Sequence, residues 1–264
     1  MKLDQLESNI KSKKSFLCLG LDTDINKIPK HLFKHSDPVF RFNKLLVDEL
    51  NKKIVAVKIN TAFYESRGLN GWTSMKKTID YINENYPEIF TIADAKRGDI
   101  GNTSKMYAKA FFENLNFDSI TLSPYMGKDT VLEFLEYDEK YPILLALTSN
   151  DSAEDFQIPN NLYQKVIVKS TSWKNSNKIM YVVGATKPNF LKIIRNIIPD
   201  NFLLIPGIGA QGGDLNKIVK YCTTNKNKKI LVNISRSIIY AGKSKDFVSM
   251  AVKKVDEYND LINF

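Results

Sequence analysis

Four charged side chains are concentrated in TIADAKRGDIGNTS, the segment Thr91–Ser104. A short apolar stretch there ends in Asp94, Lys96, Arg97 and Asp99. Charges at the exit of a buried strand are unfavourable unless they are paired or used for chemistry. Asp94 and Lys96 are two residues apart, so on a strand their side chains share one face. This spacing fits either a structural ion pair that closes the end of the buried core or a proton donor held beside fixed negative charge.

A further lysine favours the chemical interpretation. Lys58 lies near the end of the preceding apolar segment, KIVAVKIN. If the two segments are neighbouring strands, Lys58, Asp94, Lys96 and Asp99 alternate in charge. Each neighbour in such an array favours the charged form of the next, which keeps the acids ionised and the lysines protonated.

A second motif, PGIGAQGGD, spans Pro206–Asp214 and leads into a segment with helical periodicity. Bare backbone amides at the start of a helix attract phosphate. Arg236 follows the next apolar run and offers the paired donors that grip a phosphate in two places. A glycine-rich turn alone is weak evidence, but the combination with Arg236 predicts a phosphate site.

The elements that position these residues follow from the apolar pattern. Eight short runs are dense in Val, Ile, Leu and Phe, which is typical of strands buried on both faces. The predicted strands are Ser15–Asp22, Lys53–Asn60, Phe90–Lys96, Ser119–Pro124, Pro142–Ser149, Ile179–Thr186, Phe202–Gly209 and Ile230–Arg236. A short helix is predicted before the first strand. The other predicted helices are Phe40–Leu50, Ser104–Leu115, Asp129–Tyr137, Leu162–Lys174, Pro188–Ile198, Asp214–Cys222 and Asp246–Leu261.

Strands alternating with helices eight times predict a (β/α)8 barrel, an α/β fold, as a single domain over residues 1–264. A doubly wound open sheet is the alternative. Catalytic groups of such barrels gather at the C-terminal ends of the strands. Asp22, Lys58, Asp94, Ser149 and Arg236 all lie at predicted strand ends, with no comparable set at the strand starts.

Composition limits the kinds of binding partner and the cellular compartment that we expect for this protein. The formal net charge is +9, but the lysines are scattered without interleaved aromatic residues, so a nucleic-acid surface is not predicted. The two cysteines, Cys18 and Cys222, have neither disulfide nor metal spacing. The N-terminus lacks an apolar signal region, and no apolar run is long enough to span a membrane. We therefore expect a reduced, soluble, cytoplasmic protein without metal.

The chain resembles the orotidine 5′-phosphate decarboxylase family from about Phe16 to Tyr240. The motifs that carry the resemblance occur in the family's order: GLDTD, AVKINTAFYESRG, DAKRGDIGNTS, TLSPYMGKD, LTSN, VVGAT, PGIGAQGGD and NISRSIIYA. DAKRGDI together with PGIGAQGGD is highly specific, and the match is strongest to the longer-chain bacterial branch. The resemblance implies a cofactor-independent, metal-free cytoplasmic enzyme that converts orotidine 5′-phosphate to UMP in pyrimidine biosynthesis.

The resemblance also implies the catalytic residues. Lys58, Asp94, Lys96 and Asp99 match the family's Lys–Asp–Lys–Asp tetrad. Its last aspartate reaches the neighbouring subunit's site, as does the residue matched by Thr103, so a homodimer is expected. In the family's chemistry the aspartates crowd the substrate carboxylate, and Lys96 stabilises and protonates C6 after CO2 leaves.

The substrate contacts follow in the same way. Asp22 matches a ribose-hydroxyl contact, and Ser149 matches the serine that recognises the pyrimidine. Gln211 and Arg236 match the phosphate-gripping pair, and Pro206 is placed with them among the substrate-binding residues. Two positions depart from the family's pattern: Asp151 stands where a Pro-Gly turn is usual, and Ser237 where glycine is common.

Two rival functions stay open. A metal-dependent aldolase of the hexulose-phosphate synthase type shares the spacing of Asp94, Lys96 and Asp99. That group carries an acidic metal ligand in strand two, where this chain has Lys58, a poor ligand while protonated. The other rival is a non-catalytic nucleotide-phosphate binder, against which the intact tetrad argues.

Overall fold

Eight parallel strands, hydrogen-bonded in chain order, form one closed barrel. The computed structural model describes residues 1–209, 212–224 and 227–262. The strands are β1 (Leu17–Gly20), β2 (Ala56–Asn60), β3 (Phe90–Arg97), β4 (Ser119–Leu122), β5 (Tyr141–Leu147), β6 (Met180–Val183), β7 (Leu203–Pro206) and β8 (Ile230–Ile234). The (β/α)8 prediction is confirmed, and the doubly wound alternative is wrong because an open sheet has two edges.

Twelve α-helices are present in the described part of the chain. They are α1 (Leu3–Lys13), α2 (Pro38–Leu50), α3 (Ala62–Glu65), α4 (Gly68–Asn85), α5 (Gly101–Ala108), α6 (Asp129–Leu135), α7 (Ala153–Phe156), α8 (Leu162–Thr171), α9 (Pro188–Ile197), α10 (Leu215–Cys222), α11 (Arg236–Ile239) and α12 (Phe247–Leu261). Short 3-10 helices occupy Lys30–Lys34, Pro159–Asn161 and Ser176–Lys178, and a π-helical turn at Lys109–Asn114 continues α5. Every predicted helix is confirmed to within a few residues.

The chain falls into two compact units. The first comprises Met1–Ala95 together with the chain from Ile234 onward, and the second comprises Lys96–Asn233. In the first unit, Phe42 of α2 stacks on Phe247 of α12 with ring centroids 5.0 Å apart. In the second, Phe112 packs edge-on against Phe134 of α6 at 5.8 Å. The single-domain boundaries 1–264 stay a prediction.

Local sequence explains where several helices begin. The Asp37 carboxylate accepts a hydrogen bond from the Phe40 amide at 3.0 Å, and Pro38 opens α2. The Asp214 carboxylate caps α10 by accepting from the Lys217 amide at 3.2 Å. Such caps satisfy amides that have no partner inside the helix, and proline is preorganised for the first helical position.

The sequence pattern does not predict α4, although it is an 18-residue helix. Its buried face includes Gly71, Ser74 and Thr78 beside the apolar Met75, Ile79 and Ile82. Small and polar residues at half of the buried positions weaken the apolar periodicity by which helices are identified. The small residues have a packing reason, because a Cβ at Gly71 would lie 1.7 Å from the carbonyl oxygen of Tyr64.

We expect the Gly71→Ala variant to be destabilised by about 2 kcal/mol, since overpacking typically costs about 1–3 kcal/mol. In an unobstructed helix the same change stabilises by up to about 1 kcal/mol. Urea denaturation distinguishes the two signs. Asn70→Ala, at the exposed neighbouring position, is the control and should shift stability by less than about 0.5 kcal/mol. A stabilised Gly71→Ala variant would contradict the close approach.

Candidate active site

A buried lysine of β2 contacts two carboxylates, one in β3 and one just after β1. The Lys58 ammonium donates to Asp94 Oδ2 at 2.8 Å and lies 3.6 Å from Asp22 Oδ1. Lys58 is 3% exposed. The register explains the meeting, because Lys58 pairs with Gly20 of β1, and Asn60, two residues further along β2, pairs with Asp94 of β3.

The charges of this cluster keep the lysine protonated. Burial alone would lower the pKa of Lys58, but the adjacent charges of Asp94 and Asp22 outweigh burial and raise it above its usual range. Asp22 Oδ1 is buried and accepts no hydrogen bond from any described residue. A carboxylate held this way has acceptor capacity left for a ligand hydroxyl.

A polar network in the first unit fixes the backbone around Asp22. The Thr23 hydroxyl donates to Asn43 Oδ1 at 2.7 Å, and Asn43 Nδ2 donates to the Tyr64 hydroxyl at 2.9 Å. The Tyr64 hydroxyl in turn donates to the Leu21 carbonyl at 3.0 Å. All three side chains are buried. A fully satisfied buried network of this kind favours one conformation of the loop after β1.

Tyr240 fixes the same loop from the C-terminal part of the chain. Its hydroxyl donates to the Asp22 carbonyl at 3.1 Å and accepts from the Asp24 amide at 2.7 Å. Tyr240 and Asn43 could not be predicted from sequence as supports of Asp22, because they are 218 and 21 residues away in the chain. Tyr240 does fall within the NISRSIIYA motif, so a signal existed without a role attached to it.

Lys96 departs from regular strand geometry. Its φ is +49°, in the left-handed region, and its side chain is exposed. Its amide donates to Oγ1 of Thr121 in β4 at 2.9 Å. The strand's two-residue alternation is therefore interrupted at Lys96, and the prediction that its side chain shares a face with Asp94 does not follow from regular strand geometry there. Lys58 and Asp94 belong to the first unit and Lys96 and Asp99 to the second.

The rest of the DAKRGD segment has structural partners in the second unit. The Arg97 guanidinium lies 5.4 Å from the ring centroids of both Tyr107 and Phe111, in cation–π range. The Asp99 carboxylate accepts from the Ile100 amide at 2.8 Å. Thr103 is exposed on the first turn of α5. The Arg97 side chain therefore has a structural role in packing against α5 and the π-helical turn that follows it.

Ser149 follows β5 by two residues and is fixed from several sides. A Cβ at Gly184 would lie 2.6 Å from Ser149 Cα, so only glycine allows this approach. The Thr186 hydroxyl donates to the Ser149 carbonyl at 2.9 Å. Gln157 Oε1 accepts from the Thr148 amide at 2.7 Å, and Gln157 Nε2 donates to the Thr148 hydroxyl at 2.8 Å. These supports were not predicted from the sequence, although the VVGAT motif contains two of them, Gly184 and Thr186.

The loop after β7 contains the glycine-rich motif. Pro206 is the last residue of β7, and the Gly213 amide donates to the Gly207 carbonyl at 3.0 Å. Gln211 lies outside the described residues. Arg236 is an exposed residue that begins α11, whereas β8 ends at Ile234, so the predicted placement of Arg236 at the end of strand eight is wrong by two residues.

The two departures from the family pattern have simple local structures. Ser237 accepts a hydrogen bond from the Tyr258 hydroxyl of α12 at 3.1 Å, so its side chain is tied to that helix. Asp151 lies in a turn that leads into α7, with its carbonyl accepting from the Glu154 amide at 3.1 Å. Neither residue breaks the elements around it.

We expect neither cysteine to react with thiol reagents in the folded protein. Burial raises the pKa of Cys18 to about 12, with Lys58 opposing and Asp22 and Asp94 reinforcing the shift. Burial likewise raises the pKa of Cys222 to about 12, opposed by Arg195. The thiolate is the reactive form. Labelling with a chromogenic disulfide at pH 8 should detect no native thiol and two after denaturation; rapid native labelling would contradict this.

None of the helices within residues 1–209, 212–224 and 227–262 is both long and apolar enough to cross a membrane.

A model of the orotidine 5′-phosphate decarboxylase / HUMPS family matches residues 15–249. The chain is 58% identical to an orotidine 5′-phosphate decarboxylase of Flavobacterium johnsoniae, covering 95% of this chain and 93% of that protein. A homologue from Christiangramia forsetii with the same description is 56% identical, covering 97% and 95%. The structure of Leishmania donovani OMP decarboxylase matches with a TM-score of 0.83 and 30% identity, covering 99% of both chains.

Proposed function

We propose that the reaction is carried out by Lys58, Asp94, Lys96 and Asp99 in this chain, which belongs to the orotidine 5′-phosphate decarboxylase / HUMPS family and converts orotidine 5′-phosphate to UMP. The observation that carries the proposal is the buried ion cluster in which Lys58 lies 2.8 Å from Asp94. The buried Lys58 ammonium holds this carboxylate in position by a hydrogen-bonded ion pair. In the proposed mechanism this carboxylate supplies fixed negative charge beside the carboxylate of the substrate.

The chemical step breaks the bond between C6 of the pyrimidine and its carboxyl carbon. CO2 leaves, and the electron pair of that bond stays on C6. In the proposed mechanism Asp94 and Asp99 repel the substrate carboxylate, and this repulsion disappears as CO2 departs. Lys96 stabilises the developing carbanion and transfers its proton to C6. Preorganised charge of this kind is usually the largest catalytic contribution.

The proposed substrate contacts supply binding energy away from the reacting carbon. Asp22, with its buried Oδ1, takes a ribose hydroxyl, and Ser149, fixed by its neighbours, recognises the pyrimidine. Gln211 and Arg236 bind the phosphate beside Pro206. Energy from such remote contacts lowers the barrier when it is realised at the transition state.

Loss of orotidine 5′-phosphate absorbance in chelator-treated protein tests this function. We expect full turnover without metal, since the tetrad supplies all of the charge and the proton. Turnover that requires added metal, with activity on sugar phosphates, would establish the aldolase. UMP binding by folded protein without turnover would establish the non-catalytic binder.

We also propose that the chain acts as a homodimer in which Asp99 and Thr103 serve the neighbouring subunit's site. Apolar side chains beside these two residues are exposed: Ile100 is 55% and Met106 is 49% exposed. In the same unit Tyr125 is 90% and Met126 is 51% exposed. Contiguous exposed apolar patches mark surfaces that another protein covers, and these side chains would contribute to such a patch in the proposed dimer.

Mixing two inactive variants tests the shared site. Lys96→Ala and Asp99→Asn homodimers should each be inactive. If Asp99 acts in the partner's site, a mixed dimer contains one doubly altered site and one intact site, so activity should return after the subunits exchange. Absence of recovery in verified mixed dimers would place Asp99 in its own subunit's site.

The cytoplasmic location and the lack of a nucleic-acid partner stay part of the proposal. Cell fractionation tests the location. The salt dependence of any DNA or RNA affinity tests the second point, because phosphate contacts make such binding weaken steeply with salt.

A further inference from the structure

The backbone of Lys96 is held in a conformation that a lysine rarely adopts. Its φ of +49° lies in the left-handed region, where a side chain crowds its own backbone. Such a conformation persists only when the surrounding structure holds it, and it is concentrated at functional sites. The position of the Lys96 ammonium therefore depends on the contacts that hold its backbone.

The end of β4 provides these contacts. Thr121 is 1% exposed, and its Oγ1 accepts the hydrogen bond from the Lys96 amide at 2.9 Å. Two residues later, the Ser123 amide donates to the Arg97 carbonyl at 2.7 Å. A Cβ at Gly98 would lie 3.0 Å from the Ser123 carbonyl oxygen, so the chain also passes close to β4 there. Residues 96 to 98 thus all lie against the end of β4.

The acceptor at Lys96 is a side-chain oxygen, whereas a regular strand pair would use a backbone carbonyl. A hydroxyl on a buried β-branched side chain has few conformations and fixes the position of the amide bound to it. Moving this amide would move the origin of the Lys96 side chain and, through Arg97 and Gly98, the start of the segment that bears Asp99.

We propose that Thr121 is a positioning residue for Lys96: its hydroxyl fixes the left-handed turn from which the Lys96 ammonium reaches the reacting carbon. This inference rests on the proposed role of Lys96 as the proton donor. Thr121 itself touches neither substrate nor reacting atoms in this assignment. Its loss should therefore reduce the chemical step and leave substrate binding intact.

Thr121→Val and Thr121→Ser separate position from packing. Valine preserves the shape and removes the acceptor, whereas serine preserves the hydroxyl. We expect Thr121→Val to lower kcat about ten- to a hundredfold, the scale of a small misplacement of a catalytic group, with KM and UMP affinity unchanged. Thr121→Ser should restore most of kcat. Thr130→Val is the control, because Thr130 is also buried and its hydroxyl bonds to the Gly127 carbonyl.

The proposal is overturned if Thr121→Val keeps the wild-type kcat, or loses no more than Thr130→Val. It is also overturned if kcat and UMP affinity fall together, since that is general damage. Hydrogen exchange of the Lys96 amide, measured by NMR, gives a readout that does not need turnover: it should accelerate in Thr121→Val and recover in Thr121→Ser. If wild-type protein fails to decarboxylate the substrate, the proposed function fails, and unchanged amide exchange would still overturn the hold of Thr121 on Lys96.

Discussion

Replacement of Lys96 by alanine is expected to lower kcat for orotidine 5′-phosphate by at least about 10⁴-fold, because one side chain supplies both the proton and the charge that stabilises C6. Proton transfer by a positioned group contributes about 10²–10⁴-fold. A preorganised donor at a developing anion contributes a further factor of about 10²–10³. The two effects act on the same transition state, so alanine removes both at once.

Stopped assays of substrate loss and a binding isotherm for UMP measure the two consequences separately. Turnover should fall, while UMP affinity and the urea midpoint stay near wild type, since Lys96 is exposed in the free protein. Lys192→Ala, which removes another exposed lysine, is the matched control and should keep full activity. Near-normal turnover by Lys96→Ala would remove the lysine from the mechanism.

The Lys96→Arg variant separates charge from proton donation. Arginine keeps the positive charge but does not release its proton in proteins. We expect Lys96→Arg to bind UMP and to remain strongly impaired in turnover. If arginine restored turnover, charge alone would be sufficient, and the proton would have to come from another group.

The barrel strands could be predicted from sequence because both faces of each strand are covered, which produces dense apolar runs. β8, for example, is buried along its whole length from Ile230 to Ile234. The helix α4 could not be predicted in the same way, since Gly71 and Ser74 occupy positions on its buried face. A glycine that admits a neighbouring carbonyl oxygen is a packing solution, and packing is decided by parts of the chain that local periodicity does not contain.

The candidate site likewise contains residues that could be predicted from sequence and residues that could not. Residues with distinctive chemistry, such as Lys58 and Asp94, could be identified from type and spacing, and the structure brings these two together. The left-handed backbone of Lys96 could not be predicted, because the two-residue alternation of side chains applies only to a regular strand. Supporting residues such as Thr121 have ordinary side chains, and only the fold gives their hydroxyl groups a specific partner.

Replacement of Lys58 by methionine is expected to destabilise the protein by about 3–5 kcal/mol, the usual effect of leaving buried charge without its partner. Methionine has a similar length but no charge, so Asp22 and Asp94 would both lose the ammonium that lies close to them. Lys53→Met is the matched control: Lys53 pairs with Asp256 at a half-exposed site, where such pairs contribute at most about 1 kcal/mol. Urea denaturation compares the two free energies of unfolding.

A second substitution identifies the cause of the loss. In an Asp94→Asn background one of the two charges is already absent, so Lys58→Met should cost less there than in the wild type. Residues in direct contact typically show such coupling at about 0.5–3 kcal/mol. Equal losses in both backgrounds would mean that Lys58 acts through packing and not through its charge. Turnover should fall in every variant that lacks Lys58, since Asp94 then loses the ammonium that holds its carboxylate in place.

The pH dependence gives the sign of the electrostatic contribution. Burial would lower the pKa of Lys58, but Asp94 and Asp22 raise it above its usual range, so the folded protein binds this proton more tightly than the unfolded chain. The stabilisation is then fully present below the unfolded value of about 10.4 and is lost only as pH rises through the higher folded value. The difference in unfolding free energy between wild type and Lys58→Met should therefore be the same at pH 7.5 and pH 9. A difference that shrinks by pH 9 would mean that the ammonium loses its proton earlier, and a neutral lysine would no longer form an ion pair with Asp94.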